Sequence, residues 1–208
     1  MPDGASGRPL TTSGTYPAGL EADVRLRDGT RVLVRPMRAT DGSGMTTFHE
    51  SLSPRSVYRR FFFAHPRLSP GELERFTHVD YVDRMALVVV VDDRIVGVGR
   101  YERAPGADEA EVAFVVTDAY QRRGIGALLL DHLADVARSH GIDWFTAQTL
   151  SENRDMLGVF FSSGFPVTTS SEGGTVSVRF PVAPCPDYVE ARAGRTSAVD
   201  RPPDPSGR

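Results

Sequence analysis

The segment Gln121–Gly126, which reads QRRGIG, lies between a strand-like run and a helix-like run. The first turn of a helix presents unpaired backbone N–H groups and a partial positive charge. Gly124 and Gly126 remove side chains where a ligand must approach the backbone, and Arg122 and Arg123 add positive charge. This combination predicts a site for phosphate groups, along which a diphosphate would fit.

Single residues exclude the two commonest nucleotide-binding loops. The dinucleotide pattern G-x-G-x-x-G requires a third glycine where this chain has Leu129, and no acidic residue ends a second strand about 20 residues further on. The phosphate loop G-x-x-x-x-G-K-[ST] requires a lysine, whereas all 24 basic side chains of the chain are arginines. The loop therefore indicates a phosphate-bearing ligand of another class.

Hydrophobic patterning predicts the elements that position this loop. Two alternating runs around Asp28-Gly29 predict a hairpin, and further strands are predicted at 85–91, 94–102, 110–116, 143–150 and 175–180. Helices are predicted to follow Thr40 or Asp41, Ser53, Ser69, Gly126 and Asn153. Antiparallel strands come first and a strand–helix–strand crossover follows. The expected fold class is therefore α/β (α+β), with a mixed, mostly antiparallel sheet flanked by helices.

The periodic part of the 208-residue chain spans 21–183 and is predicted to be one domain. The flanking segments 1–20 and 184–208 are rich in Gly, Pro, Ser and Thr and lack periodicity, so they are predicted to be flexible, disordered tails.

Composition narrows the functional class. A net charge of −3 argues against bulk binding of nucleic acid, and no apolar run approaches the roughly 18 residues of a membrane span. Cys185 is the single cysteine, and the five histidines show no metal-ligand spacing. We therefore expect a cytoplasmic protein without a metal, a nucleic-acid partner or a membrane partner.

The order of motifs resembles the GNAT superfamily of acyl-CoA N-acyltransferases. The resemblance rests on Gln121-x-x-Gly124-x-Gly126-Ala127 after a strand that begins with Glu, and on Asn153 before a helix that ends at Gly164-Phe165. It covers about residues 30–181. The segments LRDGTRVLVRPMRATDG, LSPRSVYRRFF and HVDYVDRMALVVV are similar to bacterial protein lysine acetyltransferases. The resemblance implies the GNAT fold and acetyl-CoA as the acyl donor.

The resemblance also implies where acetyl-CoA binds. In this family the pantetheine arm pairs with a strand backbone, which here implies Phe114, Val115 and Val116. Asn153 matches a position whose side-chain amide contacts the coenzyme arm. The pyrophosphate is implied on Gln121, Arg122, Arg123, Gly124, Ile125, Gly126 and Ala127.

Two carboxylates are candidate bases for the transfer. A lysine ammonium, with a pKa of about 10.4, must lose a proton before its nitrogen can attack a thioester. Glu111 lies within the strand and shares a face with Ala113, whereas Glu109 is expected one step outside the regular strand as a surface charge. The resemblance implies that Glu111 is the general base. Many members place a tyrosine acid where this chain has Phe160, which cannot donate a proton.

The sequence therefore predicts an acetyl-CoA-dependent N-acetyltransferase that transfers the acetyl group directly, most simply to lysine side chains of a protein such as an acyl-CoA synthetase. Two alternatives remain open: an acetyltransferase for a small amine, and a non-catalytic acyl-CoA-binding sensor. The segment YRRFFF leaves a further choice between a docking surface for an acidic partner and a helix with a basic face over an apolar one.

Overall fold

A computed structural model describes residues 14–197, with side chains through residue 195. One eight-stranded sheet has the order β1-β2-β3-β4-β5-β6-β8-β7. The strands are β1 Ala22–Arg25, β2 Arg31–Pro36, β3 Arg84–Val91, β4 Arg94–Arg103, β5 Glu109–Val116, β6 Trp144–Leu150, β7 Thr168–Glu172 and β8 Thr175–Pro181. The α-helices are α1 Gly42–Glu50, α2 Pro54–Phe61, α3 Pro70–Thr77, α4 Ile125–Ser139, α5 Arg154–Phe161 and α6 Pro186–Ser197. Short 3-10 helices lie at Ala18–Leu20, Ala39–Asp41 and Asp118–Tyr120.

The sheet is antiparallel at every strand pair except one. β1 through β5 pair with their neighbours in sequence, and β6 pairs antiparallel with β8. β5 and β6 run parallel, with α4 as the crossover between them. The predicted mixed, mostly antiparallel sheet flanked by helices is therefore confirmed.

Helix α4 packs against one face of β4, where two glycines make room for it. A Cβ at Gly97 would lie 2.9 Å from Ile125, and one at Gly99 would lie 3.1 Å from Leu129. On the other face of the sheet, a small cavity separates Val98 and Ala113 from α1, α2 and α3. The core of buried apolar side chains thus lies on both faces of the central strands.

The predicted helix starts at Ser53 and Ser69 are confirmed by capping hydrogen bonds. Ser53 Oγ accepts from the backbone N–H of Ser56 at 3.2 Å. At α3, Ser69 Oγ accepts from the Glu72 N–H, and the Glu72 carboxylate accepts from the Ser69 N–H, which forms a capping box. Both helices have proline in the first turn, where its missing N–H removes no helical hydrogen bond.

The predicted tail 1–20 is wrong for its last residues. Residues 14–20 lie against the domain, where the Tyr16 ring meets the Tyr81 ring edge-on at 6.0 Å. The Tyr16 hydroxyl also donates to Glu21 at 2.5 Å. One aromatic side chain anchors a segment whose composition is otherwise typical of a linker. Residues 1–13 lie outside the described part of the chain.

The predicted disorder of 184–208 is wrong for the segment that forms α6. Tyr188 is 1% exposed, and its ring stacks on the Phe165 ring with the ring centroids 4.0 Å apart. Arg195 donates to both carboxylate oxygens of Asp131 on α4, at 3.0 and 2.8 Å. These tertiary contacts hold α6 against the domain. They cannot be predicted from the local sequence, which is polar and flanked by prolines. Residues 198–208 lie outside the described part.

Two further details differ from the expectation. β7, built from Thr, Ser and Glu and fully exposed, was not predicted; it forms a hairpin with β8 through Gly173-Gly174. Glu109 belongs to β5, opposite Trp144, rather than lying outside the strand. It is indeed a surface charge, because it accepts a 2.7 Å hydrogen bond from Arg179 while both side chains remain well exposed.

Along residues 14–197, no helix is long and apolar enough to cross a membrane.

Replacing Tyr188 tests whether α6 is part of the folded domain. Tyr188→Ala removes a fully buried ring, so we expect the free energy of unfolding to fall by about 3 kcal/mol. The neighbouring Val189 is 56% exposed, and Val189→Ala should change it by less than about 0.5 kcal/mol. Urea unfolding followed by circular dichroism measures both. Equal, small effects would contradict a packed α6.

Candidate active site

The sheet opens between β5 and β6. Their parallel pairing starts at Glu109 and Trp144 and ends at Glu111 and Thr146, although β5 continues to Val116 and β6 to Leu150. On its other edge β5 stays paired with β4 as far as Val116. The outer half of β5 therefore presents one edge of backbone N–H and C=O groups to an open cleft rather than to a strand.

A cavity of about 1010 Å³ fills this opening. Strands β5 and β6, the loop before α4, and helices α2, α4, α5 and α6 all contribute to its walls. Every site residue predicted from the sequence lines it: Glu111, Phe114, Val115, Val116, Gln121, Arg122, Arg123, Gly124, Ile125, Gly126, Ala127 and Asn153. The fold thus brings residues from four separate elements to one cleft.

The loop before α4 has a backbone shaped by two left-handed residues. Arg122 has φ +60°, and Gly124, the N-cap of α4, has φ +91°. No side chain caps α4, so the amide groups of its first turn are available to a ligand in the cleft. A Cβ at Gly124 would meet nothing within 4 Å, which places this glycine at open space beside the cleft.

Gln121 and Gly126 have structural roles in addition to the predicted ligand contacts. The Gln121 amide donates to the Val116 carbonyl and to Ser56 Oγ, both at 3.0 Å, and so joins the loop to β5 and α2. A Cβ at Gly126 would lie 3.0 Å from Val159, so this glycine allows α4 and α5 to pack closely. A ligand therefore meets Gln121 in a fixed rotamer.

The loop is basic, and one of its arginines already has a partner. The guanidinium of Arg123 lies 3.2 Å from the Asp28 carboxylate in the β1–β2 turn and stacks over the Tyr120 ring. Hydrogen bonds from the backbone and the side chain of Thr30 lower the pKa of Asp28, and the charge of Arg123 adds a smaller effect in the same direction. Arg122 is exposed. With the partial positive charge of the helix terminus, the loop favours a phosphate-bearing ligand.

The side chains of β5 and the start of α4 contribute packing rather than polar contacts. Phe114 is 5% exposed and Ile125 is 1% exposed, so only their backbone groups can reach a ligand. Val115 and Val116 are half-buried beside the cleft. The predicted backbone contacts at these positions are consistent with this burial and stay a prediction.

Asn153 is buried and already uses both ends of its amide. Its Oδ1 accepts from the Met156 N–H at 3.4 Å as the N-cap of α5, and its Nδ2 donates to Thr149 Oγ1 at 3.2 Å. Phe160, seven residues later, is 1% exposed and its ring lies 6.2 Å from the Phe114 ring. It is therefore a packed wall behind β5, with no proton to give.

Glu111 lies where β5 and β6 begin to part, and its side chain is exposed. Arg60 of α2 lies close enough to Glu111 for the two charges to interact. Burial lowers the pKa of Arg60, while the carboxylates of Glu111 and Glu102 act in the opposite direction. Arg100, which is 7% exposed, lies 3.4 Å from Glu102, and burial lowers its pKa to about 10. Glu111 therefore has the Arg60 guanidinium nearby and the Glu102 carboxylate opposite it on β4.

Sequence patterns did not reveal that α2 closes one side of the cleft. Asp118 accepts three hydrogen bonds from Ser53 and Ser56 at 2.8–3.0 Å, which ties the start of α2 to the loop before α4. Near the other end, Arg59 lies 3.3 Å from Asp155 of α5. The Ser-Pro start predicted the helix itself, but only the tertiary structure shows what it covers.

Charge supports this anchoring of α2. Burial alone would raise the pKa of Asp118, but the hydrogen bonds from Ser53 and Ser56 lower it below its usual value.

Among the described residues, no cluster of three or more His, Cys, Asp or Glu side chains is placed to hold a metal ion.

The model of the acetyltransferase (GNAT) family matches residues 53–165, which include α2, β5, the loop, α4 and α5. The chain belongs to the GNAT acetyltransferase family. Among known members it is similar to acetyltransferase PA5475 of Pseudomonas aeruginosa, with 34% identity over 144 residues that cover 67% of this chain and 77% of that protein.

Two further GNAT relatives carry the name Pat. Acetyltransferase Pat of Mycolicibacterium smegmatis is 31% identical over 169 residues, which cover 77% of this chain and 49% of Pat, so the match spans about half of that relative. The crystal structure of the GNAT domain of S. lividans PAT superposes with a TM-score of 0.76 at 43% identity, covering 80% of this chain and 99% of that domain. The GNAT fold is therefore confirmed.

Two glycines at opposite ends of α4 offer a matched test of the loop. Gly124→Ala strains a left-handed residue and puts a methyl group beside the cleft, so we expect the Kd for acetyl-CoA to rise about tenfold. Gly141→Ala imposes similar strain, at φ +68° and with open space around the Cβ, but at the far end of α4. Each substitution should lower the free energy of unfolding by about 1 kcal/mol.

Isothermal titration calorimetry with acetyl-CoA separates the two variants. Gly141→Ala should bind like the wild type. Equal loss of affinity in both variants would mean that the loop acts only through stability.

Proposed function

We propose that this protein transfers the acetyl group of acetyl-CoA directly to lysine side chains of a protein. The observation that carries the proposal is the open edge of β5, which leads from Glu111 to the free N-terminus of α4. An extended arm laid along this edge would end at the basic loop in one direction and at a carboxylate in the other.

The donor half of the proposal follows from the shape of the cleft. The pantetheine arm of acetyl-CoA carries amide groups, which can pair with the backbone of Phe114, Val115 and Val116 as a neighbouring strand would. Its pyrophosphate would then lie on the backbone amides and arginines of Gln121–Ala127.

The proposed acceptor, a lysine side chain of a protein, rests on similarity to known acetyltransferases. The chain shares 43% identity with the GNAT domain of S. lividans PAT, and its motifs resemble those of bacterial protein lysine acetyltransferases. An acyl-CoA synthetase with a lysine in its active site is the proposed class of protein substrate.

Glu111 is proposed as the general base. The lysine ammonium would release a proton to the Glu111 carboxylate, directly or through one water, and the neutral nitrogen would attack the thioester carbonyl carbon. Collapse of the tetrahedral intermediate breaks the C–S bond and forms the amide. Phe160 has no acidic proton. The thiolate of CoA is therefore protonated by water or by the proton that the attacking amine releases.

Glu111→Gln tests this role, with Glu109→Gln as the matched control. The two carboxylates point from the same face of β5, but Glu109 is paired with Arg179. We expect kcat to fall by about 100-fold or more in Glu111→Gln. In Glu109→Gln it should stay within about twofold of wild type. CoA release is the readout, with acetyl-CoA binding measured separately. Wild-type turnover by Glu111→Gln at every pH would reject the base.

The acceptor is tested by incubating the protein with acetyl-CoA and an acyl-CoA synthetase, followed by mass spectrometry. We expect one acetyl-lysine in the active site of the synthetase and a matching loss of its activity. Turnover with polyamines, aminoglycosides or amino acids but not with the protein would favour a small-amine acetyltransferase. Binding of acetyl-CoA without turnover of any amine would favour an acyl-CoA sensor.

A further inference from the structure

Three large aromatic side chains lie on the outer surface of α2 and the turn after it. Tyr58 is 46% exposed, Phe62 is 37% exposed and Phe63 is 56% exposed. Arg55 and Arg67 are exposed in the same segment. We call these five residues the aromatic–arginine face. Large apolar side chains grouped on one surface mark a contact site more often than isolated ones do.

The geometry of α2 holds this face outward. Ser56 and Val57 are buried beneath the helix, whereas Arg55, Tyr58 and Phe62, at positions i, i+3 and i+7, share the opposite side. Phe62 ends the helix with φ +65°, a left-handed conformation that non-glycine residues rarely adopt.

Ring contacts fix the turn that follows α2. The His65 ring lies 4.6 Å from the Phe61 ring and 5.3 Å from the Phe63 ring, measured between centroids. The exposed Phe63 is therefore held by neighbours rather than free to fold back, and little conformational entropy is lost when a partner covers it.

The exposed charges of this face are basic. Residues 51–71 contain four arginines and no Asp or Glu. Arg59 is paired with Asp155 and Arg60 lines the cleft, so Arg55 and Arg67 are the two that remain exposed. Among the described residues, the side chains of Arg55 and Arg67 form no hydrogen bond or ion pair. The face therefore complements a partner that surrounds apolar side chains with carboxylates.

The aromatic–arginine face adjoins the cleft through Phe62. Phe62 lines the cleft together with Arg59 and Arg60 of α2, and Glu111 lines the same cleft. Since α2 is anchored to Asp118, its outer face keeps a fixed position relative to the cleft. A polypeptide lying on this face could present a side chain to Glu111.

We propose that the aromatic–arginine face docks the protein acceptor, and that it selects lysines flanked by acidic and apolar residues. This inference rests on the proposed function, because it assigns the acceptor that the same cleft would use. A second copy of this chain is the competing occupant, since exposed aromatic side chains can also mediate self-association.

The experiment uses two fluorescent peptides with the same apolar residues around one lysine, flanked in one by Asp and Glu and in the other by Arg. Binding is measured by anisotropy, and acetylation by mass spectrometry with acetyl-CoA. The acidic peptide should bind at least about tenfold more tightly, and its affinity should fall with added salt.

Variants assign the preference to this face. Arg55→Glu combined with Arg67→Glu should weaken the acidic peptide about tenfold and strengthen the arginine-flanked one. Tyr58→Ala combined with Phe63→Ala should weaken both peptides about tenfold. The controls are Arg94→Glu, at an exposed arginine on β4, and Val189→Ala on α6; both should bind the peptides and acetyl-CoA like wild type.

The two readouts separate this inference from the proposed function. Acetylation of both peptides without charge preference would overturn the docking face and leave the proposed function intact. Selective binding without acetylation would support the docking face and count against a lysine acceptor. Failure of both peptides to bind would overturn the docking face. So would a dimer, seen by light scattering, that Tyr58→Ala combined with Phe63→Ala converts to monomer.

Discussion

The separation of two parallel strands is the constraint on which the rest of this structure depends. Buried backbone N–H and C=O groups need partners, and β5 loses those on one edge after the pair Glu111–Thr146. The gap can persist because β4 still pairs with the other edge of β5 and because α2 packs against both β5 and β6. What remains is a row of polar backbone groups whose natural complement is an extended chain of amides.

Helix α2 covers one side of the cleft beside this open edge. Its first turn is fixed by Asp118 and its last by Asp155, so it bridges the loop before α4 and the start of α5. The inner side places Arg60 near Glu111, whereas the outer side remains aromatic and basic. One short helix therefore separates the cleft from an outer surface that carries exposed aromatic and arginine side chains.

Sequence patterns predicted the parts of the fold that depend on local physics. The caps at Ser53 and Ser69, the hairpin at Asp28-Gly29 and the buried strands were all found because their signals lie within a few residues. The residues predicted to form the site also line one cleft, since the loop and strand adjoin in sequence.

Features that depend on distant contacts could not be predicted in this way. Helix α6 is held by Phe165 and Asp131, and β7 has polar side chains and takes its place in the sheet by pairing with β8. The engaged rotamers of Gln121 and Asn153 likewise depend on Ser56 and Thr149. The ion pair between Asp28 and Arg123 also affects how the loop before α4 would bind an anion. In the proposed donor site, Asp28 would act as an internal counter-ion that the diphosphate displaces. An exposed pair of this kind is worth at most about 1 kcal/mol, so it would weaken binding of the donor only slightly. The same pair would offset the charge of Arg123 toward anions that lack a second point of attachment, and occupancy would then depend on the whole coenzyme rather than on its charge.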